Sequence, residues 1–360
     1  MYLYFVPLFA QKFGATFLQL GFIGTASALT YVVATIIVGH FADRVSHIWL
    51  YAFALFVNVV GTAVLLLSRS VSDIVLLRAF GGVGLSFLWP AAEVLVVDLA
   101  SEGNRVKEMG TYSVVWGIGF LIGPTVGGTV IPTFGFTNLF LISSILILIG
   151  FVQALVGVTP HAKPRERTQA TGPAFTFSGL ISSTRKLWSW YLLIAIYAMI
   201  FAVVTTIFPG YAYSVGVTVE LIGVLFTIFG LSRIAIFATI QHYVRLGEAR
   251  VLTVVSLAIC AAIAIIALIP QFFVFLPAII ILGMSFAVIF PISITLISRS
   301  FTSERMGIAI GSYESVYGLG AAIGPVFAGT IAAISTVRES FLAVALLGLL
   351  MAGTAQLRKP

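Results

Sequence analysis

Residues 110–128 read GTYSVVWGIGFLIGPTVGG, and residues 311–329 read GSYESVYGLGAAIGPVFAG. The two stretches share their glycine spacing and a Gly-Pro pair, and they lie 201 residues apart, because 311 − 110 = 201. Other pairs match at offsets of 201 or 202: Arg44 with Arg245, Gly82 with Gly283, Pro90 with Pro291, Pro7 with Pro209, Gly14 with Gly216 and Thr16 with Thr218. Matches spread over both halves predict an internal duplication, which is how many membrane transporters are built.

The composition places this chain in a bilayer. Of 360 residues, 60% are apolar and 9% are charged, whereas a soluble domain carries about 25% charged residues. Hydrophobic runs recur that are long enough for the roughly 20 helical residues that a membrane crossing needs. Strand alternation is absent, which argues against a transmembrane barrel. The sequence therefore predicts an all-α, multispan membrane protein.

Eleven full spans and one short apolar piece, residues 2–10, are predicted. The spans are 18–40, 48–67, 72–100, 107–131, 137–158, 188–208, 219–242, 250–269, 272–299, 306–334 and 339–357. The repeat partner of the short piece begins near Trp188, so the first helix lacks about a dozen residues that the repeat would supply. The nine residues present rise only about 14 Å, which is too short to cross hydrocarbon roughly 30 Å thick. We expect either a native start upstream of Met1 or a first helix that is short or unwound.

The polar segment between the sixth and seventh spans divides the chain into three parts. Residues 1–158 are predicted to form one six-helix bundle, residues 159–187 a flexible linker that contains Pro160, Pro164 and Pro173, and residues 188–360 a second six-helix bundle. Within the linker, residues 175–188 carry a weak signal for a helix on the membrane surface.

Loop charges predict the orientation. Fourteen basic residues fall on the side of the linker: Arg44, Arg105, Lys107, Lys163, Arg165, Arg167, Arg185, Lys186, Arg245, Arg250, Arg299, Arg305, Arg358 and Lys359. The other side has Lys12, Arg69 and Arg338. The positive-inside rule places the linker and the C-terminus in the cytoplasm, with the chain in the plasma membrane. The net charge of +7 then reflects topology and gives no support for nucleic-acid binding.

Three motifs resemble those of the major facilitator superfamily, whose members have twelve helices in two pseudo-symmetric bundles. Residues 39–44, GHFADR, resemble the signature of the loop after the second helix, although Ser46, His47 and Ile48 replace its glycine and basic residues. Residues 78–84, with Arg78 and three glycines, resemble a motif linked to proton coupling. The stretch quoted first resembles the signature of the superfamily's antiporters, so the drug/proton antiporter branch is the one implied.

Small residues in the duplicated stretch are expected to let helices approach closely, because van der Waals packing drives helix association in lipid. The residues are Gly110, Gly119, Gly123, Pro124, Gly127 and Gly128, with Gly311, Gly320, Gly324, Pro325 and Gly329 in the second copy. Gly119, Gly123 and Gly127 recur every four residues and are predicted to form one ridge. Generic close packing without a role in transport is the alternative.

The resemblance implies a gate at the cytoplasmic ends of the helices. Its residues would be Gly39, Asp43, Arg44, Asp98 and Arg245. An exposed ion pair contributes only about 0–1 kcal/mol, which suits a latch that opens in every cycle. A solvated turn that only fixes topology is the alternative.

An Asp43→Asn variant tests the gate. We expect slower transport at unchanged expression, because the variant loses the negative charge of the latch. Unchanged transport rates in membrane vesicles would refute the latch.

Four ionisable residues lie inside predicted spans: Arg78, Glu93, Arg233 and Glu314. A charge at the bilayer centre costs about 2.5–3.5 kcal/mol, so such residues usually face water or one another. In the resembled fold, helices 3, 6, 9 and 12 are peripheral, and all four charges fall on the other helices. Arginine keeps its proton, whereas desolvation raises the pKa of a carboxylic acid into the working range. Glu93 or Glu314 is the predicted proton carrier, with Arg78 and Arg233 as charge partners.

Other roles stay open for these residues. Arg78 could extend to the outer surface near Asp73. Glu314 and Arg233 could form one fixed structural ion pair, and Glu93 could belong to the gate.

The leading hypothesis is a secondary active transporter that exports a small organic or drug-like compound in exchange for protons. The resemblance to the superfamily implies a monomer. Its cavity aromatics would be Trp89, Trp116, Tyr313 and Tyr317. One alternative is an organic-anion carrier that uses Arg78 and Arg233; another is a non-transporting membrane receptor. An enzyme is disfavoured, since no span carries a nucleophile–base pair or a metal-binding spacing, and no cofactor is expected beyond the proton. The single cysteine, Cys260, is interpreted as a buried apolar residue.

Overall fold

In a computed structural model of the chain, residues 1–41, 46–99, 105–158, 177–237, 239, 247–298 and 306–357 are described. These residues form helices and connecting turns, and no strand occurs among them. The helices are α1 (Val6–Gln11), α2 (Phe17–Phe41), α3 (His47–Val64), α4 (Val71–Leu99), α5 (Arg105–Gln153), α6 (Phe177–Ser214), α7 (Val219–Phe237), α8 (Glu248–Leu268), α9 (Phe272–Ser298), α10 (Met306–Ile334) and α11 (Val337–Gln356). A 3-10 turn, Leu3–Phe5, precedes α1. The all-α prediction is confirmed.

The described helices account for eleven membrane crossings. Ten helical segments among the described residues are long and apolar enough to span a bilayer. One of the ten, Val114–Gly157, has 44 residues, roughly 66 Å of helix and about twice the hydrocarbon thickness. It is divided at Gly135, whose φ of 82° is accessible mainly to glycine. Residues 107–131 and 137–158 are therefore separate crossings, as predicted.

Helix α6 departs from the predicted span 188–208 at both ends. It passes through Pro209 to Ser214 rather than ending before the proline. Prolines are tolerated in transmembrane helices, because neighbouring helices and local adjustments satisfy the freed backbone groups. At its other end, Leu187 has non-helical dihedral angles (φ −114°, ψ 20°), so a kink separates residues 177–186 from the membrane crossing.

Capping boxes begin three of the helices. In each, a Ser or Thr hydroxyl accepts the backbone N–H three residues later, and that later side chain accepts the N–H of the capping residue. The boxes join Thr16 to Gln19, Ser70 to Asp73 and Thr336 to Glu339. A polar cap followed by a long apolar run fixes where a helix begins.

These caps mark one end of the molecule, which we name the tight-turn end. It holds the short connections 12–16, 68–70, 215–218, 269–271 and 335–336, together with the break at Gly135. The opposite end, where α2 ends and α3 begins, is named the linker end.

Each half of the chain packs mainly on itself, and several helix pairs join the halves. In the amino-terminal half, α1–α5, helix α4 packs on α2 and α3. In the carboxy-terminal half, α6–α11, helix α10 packs on α6, α9 on α7, and α11 on α8. The largest contacts between halves are α2 with α10 and α5 with α7. Helices α3, α8 and α11 pack chiefly within their own halves, as expected of peripheral helices.

The duplication seen in the sequence is also a duplication of contacts. A Cβ at Gly82 would collide with the Ser27 carbonyl of α2, and a Cβ at Gly283 would lie 2.7 Å from the Phe229 carbonyl of α7. Gly82 and Gly283 are 201 residues apart, and Ser27 and Phe229 are 202 apart, because 229 − 27 = 202. The same small residue thus brings equivalent helices together in both halves.

Candidate functional site

The two halves meet at the tight-turn end through a pair of equivalent glycine–proline contacts. A Cβ at Gly21 would lie 2.5 Å from the carbonyl oxygen of Pro325, and a Cβ at Gly223 would lie 2.6 Å from that of Pro124. Real Cβ atoms essentially never approach this closely, so both helix crossings require glycine. Gly128 and Gly329 complete them, since a Cβ at either would lie within 3.4 Å of Gly223 or Gly21.

Threonine hydrogen bonds reinforce both crossings. Thr25 Oγ1 donates to the Ala322 carbonyl at 2.5 Å, and Thr227 Oγ1 donates to the Leu121 carbonyl at 3.0 Å. The two bonds are equivalent, since 227 − 25 = 202 and 322 − 121 = 201. Thr125 and Thr227 also share a hydrogen bond of 2.6 Å. The tight-turn end is therefore closed in this structure.

Other glycines of the duplicated stretch pack inside a half. Cβ atoms at Gly123 and Gly127 would meet Met1 and Phe5, which precede α2. Cβ atoms at Gly320 and Gly324 would collide with the backbone of α6 at Ala195 and Met199. Gly119 has no neighbouring atom within 4 Å of its Cβ position, so the predicted three-glycine ridge makes contact only at its last two members. Gly110 and Gly311 lie in α5 and α10.

Arg78 points into the molecule. Its guanidinium Nη2 donates to Ser27 Oγ on α2 at 3.2 Å. Asp73, the acid that could have drawn it to the surface, instead accepts the backbone N–H groups of Arg69 and Ser70 at 2.8 and 3.0 Å. The structure thus favours an inward position of Arg78 over the surface alternative.

Glu314 lies where the two halves meet. Tyr31 of α2 donates its hydroxyl to Glu314 Oε2 of α10 at 3.4 Å, across the interface. Glu93 of α4 is exposed, but its charge acts on Glu314, on Tyr31 and on Tyr112. The carboxyl groups of Glu93 and Glu314, one from each half, are consequently close enough to interact electrostatically.

Arg233 is surrounded by aromatic rings. Its guanidinium carbon lies 5.4 Å from the ring centroid of Phe201, 5.7 Å from that of Phe229 and 5.9 Å from that of Phe237. Its Nε–H is buried and has no hydrogen-bond partner. A cation over an aromatic ring gains about 0.5–2 kcal/mol, which offsets only part of the about 2.5–3.5 kcal/mol cost of arginine at the centre of a membrane helix.

The structure does not pair the charges as the sequence suggested. Within the described part of the chain, none of Arg78, Glu93, Arg233 and Glu314 makes an ion pair within 4.0 Å. The fixed Glu314–Arg233 pair is therefore absent, and the Glu314 carboxylate accepts a hydrogen bond from Tyr31 instead. Arg78 and Arg233 are cations without a bound carboxylate in this structure.

The predicted cavity aromatics differ in position. Trp89 of α4 and Trp116 of α5 make an edge contact with centroids 5.6 Å apart, and both are half-buried. Tyr317 stacks on Tyr313 at 6.3 Å and is also half-buried. Tyr313 itself is 1% exposed and contacts Phe290, so it belongs to the packed interior of the carboxy-terminal half and does not line a cavity.

The predicted gate lies mostly outside the described residues. Asp43, Arg44 and Arg245 are not among them. Gly39 falls in the last turns of α2 and Asp98 in the last turn of α4, in their backbone only. The gate stays a prediction.

Sequence reasoning missed several residues of this site: Ser27, Tyr31, Thr25, Thr227, Phe201 and Phe229. The repeat offset of 202, applied to α2 and α7, would have matched Thr25 with Thr227. Ser27 and Tyr31 lie one helical turn apart on α2, and a polar face on an apolar helix was the signal for them. Phe229 and Phe237 lie four residues before and after Arg233 on α7, a helical spacing that indicates contact, whereas no sequence signal indicated Phe201 of α6.

Comparison with known proteins agrees with this architecture. The model of the Major Facilitator Superfamily matches residues 1–306 and 191–358. The chain is similar to the riboflavin transporter RibZ of Clostridioides difficile (strain 630), with 27% identity over 158 residues, which is 44% of this chain and 34% of that protein. It is similar to the multidrug transporter protein MdtP of Bacillus subtilis (strain 168), with 24% identity over 159 residues, 44% of this chain and 28% of that protein.

Both matches thus cover about a third of the relative's length. A crystal structure of the nucleoside transporter NupG has the same fold, with a TM-score of 0.78 and 13% identity over 98% of this chain and 96% of that one. The family match extends over nearly the whole chain, and the fold, the duplicated helix crossings and the internal charges agree with it. This chain is a member of the major facilitator superfamily of membrane transporters.

Proposed function

We propose that this protein is a secondary active transporter that exports a small organic solute in exchange for protons, by alternating access. The observation that carries the proposal is the contact of Glu314 with Tyr31 across the two halves. A carboxyl group that binds both halves, and that has no cation within ion-pair distance, can change their interaction when it gains or loses a proton.

Glu314 is the proposed proton carrier, and Glu93 is its partner. When Glu314 is ionised, it accepts the Tyr31 hydroxyl and repels Glu93; when it is protonated, the repulsion ends and the hydrogen bond weakens, because charge-assisted bonds are the stronger kind. Protonation therefore alters the free-energy difference between the two arrangements of the halves, which is what coupling requires.

The access route in this state is proposed to open at the linker end. The tight-turn end is closed by the crossings at Gly21 and Gly223. Toward the linker end, the carboxyl-bearing side chain of Glu93 is exposed on α4. If basic loops lie in the cytoplasm of a plasma-membrane protein, the linker end is the cytoplasmic one and the site loads from inside. The gate residues would then close this end.

Transport of a drug-like or vitamin-like compound is consistent with the two relatives, one a multidrug transporter and one a riboflavin transporter. The cavity aromatics Trp89, Trp116 and Tyr317 would supply apolar contact area, as in most small-molecule sites.

Proteoliposomes with an imposed pH gradient test the proposal. Compounds that stabilise the purified protein against heat are added to vesicles that contain a pH-sensitive dye. We expect at least one compound to cause proton movement that depends on the protein. Compounds that bind yet move neither themselves nor protons would identify a receptor and contradict the proposal.

A further inference from the structure

We propose that Arg233 and the rings beside it bind the anionic group of a planar aromatic substrate, such as an aromatic carboxylate. The inference rests on the proposed transport function and names the class of solute carried. It starts from Arg233, a half-buried cation with a buried Nε–H that no group in the described residues accepts.

The rings leave the donating edge of the guanidinium free. Phe201, Phe229 and Phe237 lie 5.4–5.9 Å from its central carbon. Rings hold a cation through their electron-rich faces and accept no strong hydrogen bond. A guanidinium has five N–H donors in a planar fork, and a carboxylate accepts two of them in parallel. The protein thus surrounds the guanidinium with apolar rings that leave its hydrogen-bond donors without acceptors among the described residues.

Among the described residues, no carboxylate lies within ion-pair distance of Arg233. Glu314, the acidic residue of the site in this half, is held by Tyr31, and the phenols of Tyr197 and Tyr317 lie in the fields of both Glu314 and Arg233. Tyr4 is also within the field of Arg233 and stacks on Phe226 with centroids 4.2 Å apart. Aromatic side chains therefore surround the Arg233 guanidinium, and a cationic ligand placed beside it would be repelled by its charge.

The aromatic part of the ligand has its own surface. Phe201 and Tyr317 are half-buried, and behind them Tyr197, Phe229 and Phe286 are at most 2% exposed. Centroid distances of 5.4 to 6.2 Å join these rings into one packed layer. A rigid layer of rings binds a flat aromatic body by stacking and edge contacts. The site would therefore recognise the anionic group and the aromatic ring of the same ligand.

Equilibrium dialysis of the purified protein in detergent, with three tritiated probes, tests the inference. The probes share one ring system: 2-naphthoate, the neutral 2-naphthamide and the cationic 2-naphthylmethylammonium. We expect 2-naphthoate to bind at least about tenfold more tightly than either relative. Arg233→Gln should remove that preference, Arg233→Lys should restore part of it because a point charge replaces the fork, and Arg69→Gln, in a tight-turn loop, should keep it.

Several results would overturn the inference. They are no preference for 2-naphthoate in the unaltered protein, an unchanged preference in Arg233→Gln, and a loss confined to Arg78→Gln, which would place the anion at the other arginine. Equal weakening of 2-naphthoate and 2-naphthamide by Arg233→Gln would show a structural role and would also count against it. Binding needs no proton gradient, so these outcomes are independent of whether transport is proton-coupled.

Discussion

A Glu314→Gln variant is expected to lose concentrative transport while it still exchanges solute across the membrane. Glutamine keeps the size of the side chain and can accept the Tyr31 hydroxyl, but it carries no proton between the two sides. One proton moving through 100 mV releases about 2.3 kcal/mol, and a tenfold gradient needs about 1.4 kcal/mol. The unaltered protein should therefore sustain a gradient of roughly fifty-fold, and the variant about none.

Flux in proteoliposomes separates the two activities. Net efflux is measured with a pH gradient, and exchange is measured with labelled solute on one side and unlabelled solute on the other. Glu220→Gln, in the first turn of α7, is the matched control and should behave as the unaltered protein. Glu93→Gln is measured in parallel: if it alone abolishes gradient-driven flux, Glu93 is the carrier. Undiminished gradient-driven flux in both variants would remove the carboxylates from the coupling mechanism.

Gly21→Leu and Gly223→Leu should each lower the transport rate at least about fivefold, because both new side chains would be forced into the facing helix. Overpacking a tight contact costs about 1–3 kcal/mol. Since 1.4 kcal/mol is tenfold, the arrangement closed at the tight-turn end would become roughly 5- to 140-fold less populated. The two variants should have similar effects, because their contacts with Pro325 and Pro124 are equivalent.

The same substitution at a glycine without neighbours is the control. Gly150 lies in the second crossing of α5, and no atom lies within 4 Å of its Cβ position. Gly150→Leu should therefore transport at the unaltered rate at equal expression. Normal transport by Gly21→Leu would show that the tight-turn end need not close as this structure has it.

Much of the fold could be predicted from the sequence because it depends on local or repeated signals. The apolar runs define the crossings, and Gly135 divides the long helix where the hydropathy pattern predicted two. The spacing of the two Gly-Pro pairs predicted close packing, and the structure shows which contacts these residues make. The predicted span 188–208 ended too early, since α6 continues through Pro209 to Ser214 and prolines are tolerated in transmembrane helices.

The site was less predictable, because side-chain partners depend on helix rotation and on residues far apart in the chain. The sequence identified the four charges in the membrane, yet it suggested ion pairs between them. In the described part of the chain, Glu314 accepts a hydrogen bond from a tyrosine of the other half, and aromatic rings surround the Arg233 guanidinium. Tyr313 and Tyr317 are four residues apart on one helix, yet Tyr313 is buried and Tyr317 is half-buried. The spacing of residues along a helix does not predict such a difference in burial.

Alternating access in this protein requires the two equivalent halves to rock about the crossings at Gly21 and Gly223. Spin-label distances test it at repeat-equivalent, exposed positions: Leu67 with Leu268 at the tight-turn end, and Trp49 with Arg250 at the linker end, in a Cys260→Ala background. Double electron–electron resonance in lipid nanodiscs should give two distance populations for each pair. As the pH is changed, one pair should shift to its longer distance while the other shifts to its shorter one. Distances that stay single, or that lengthen together at both ends, would contradict the account.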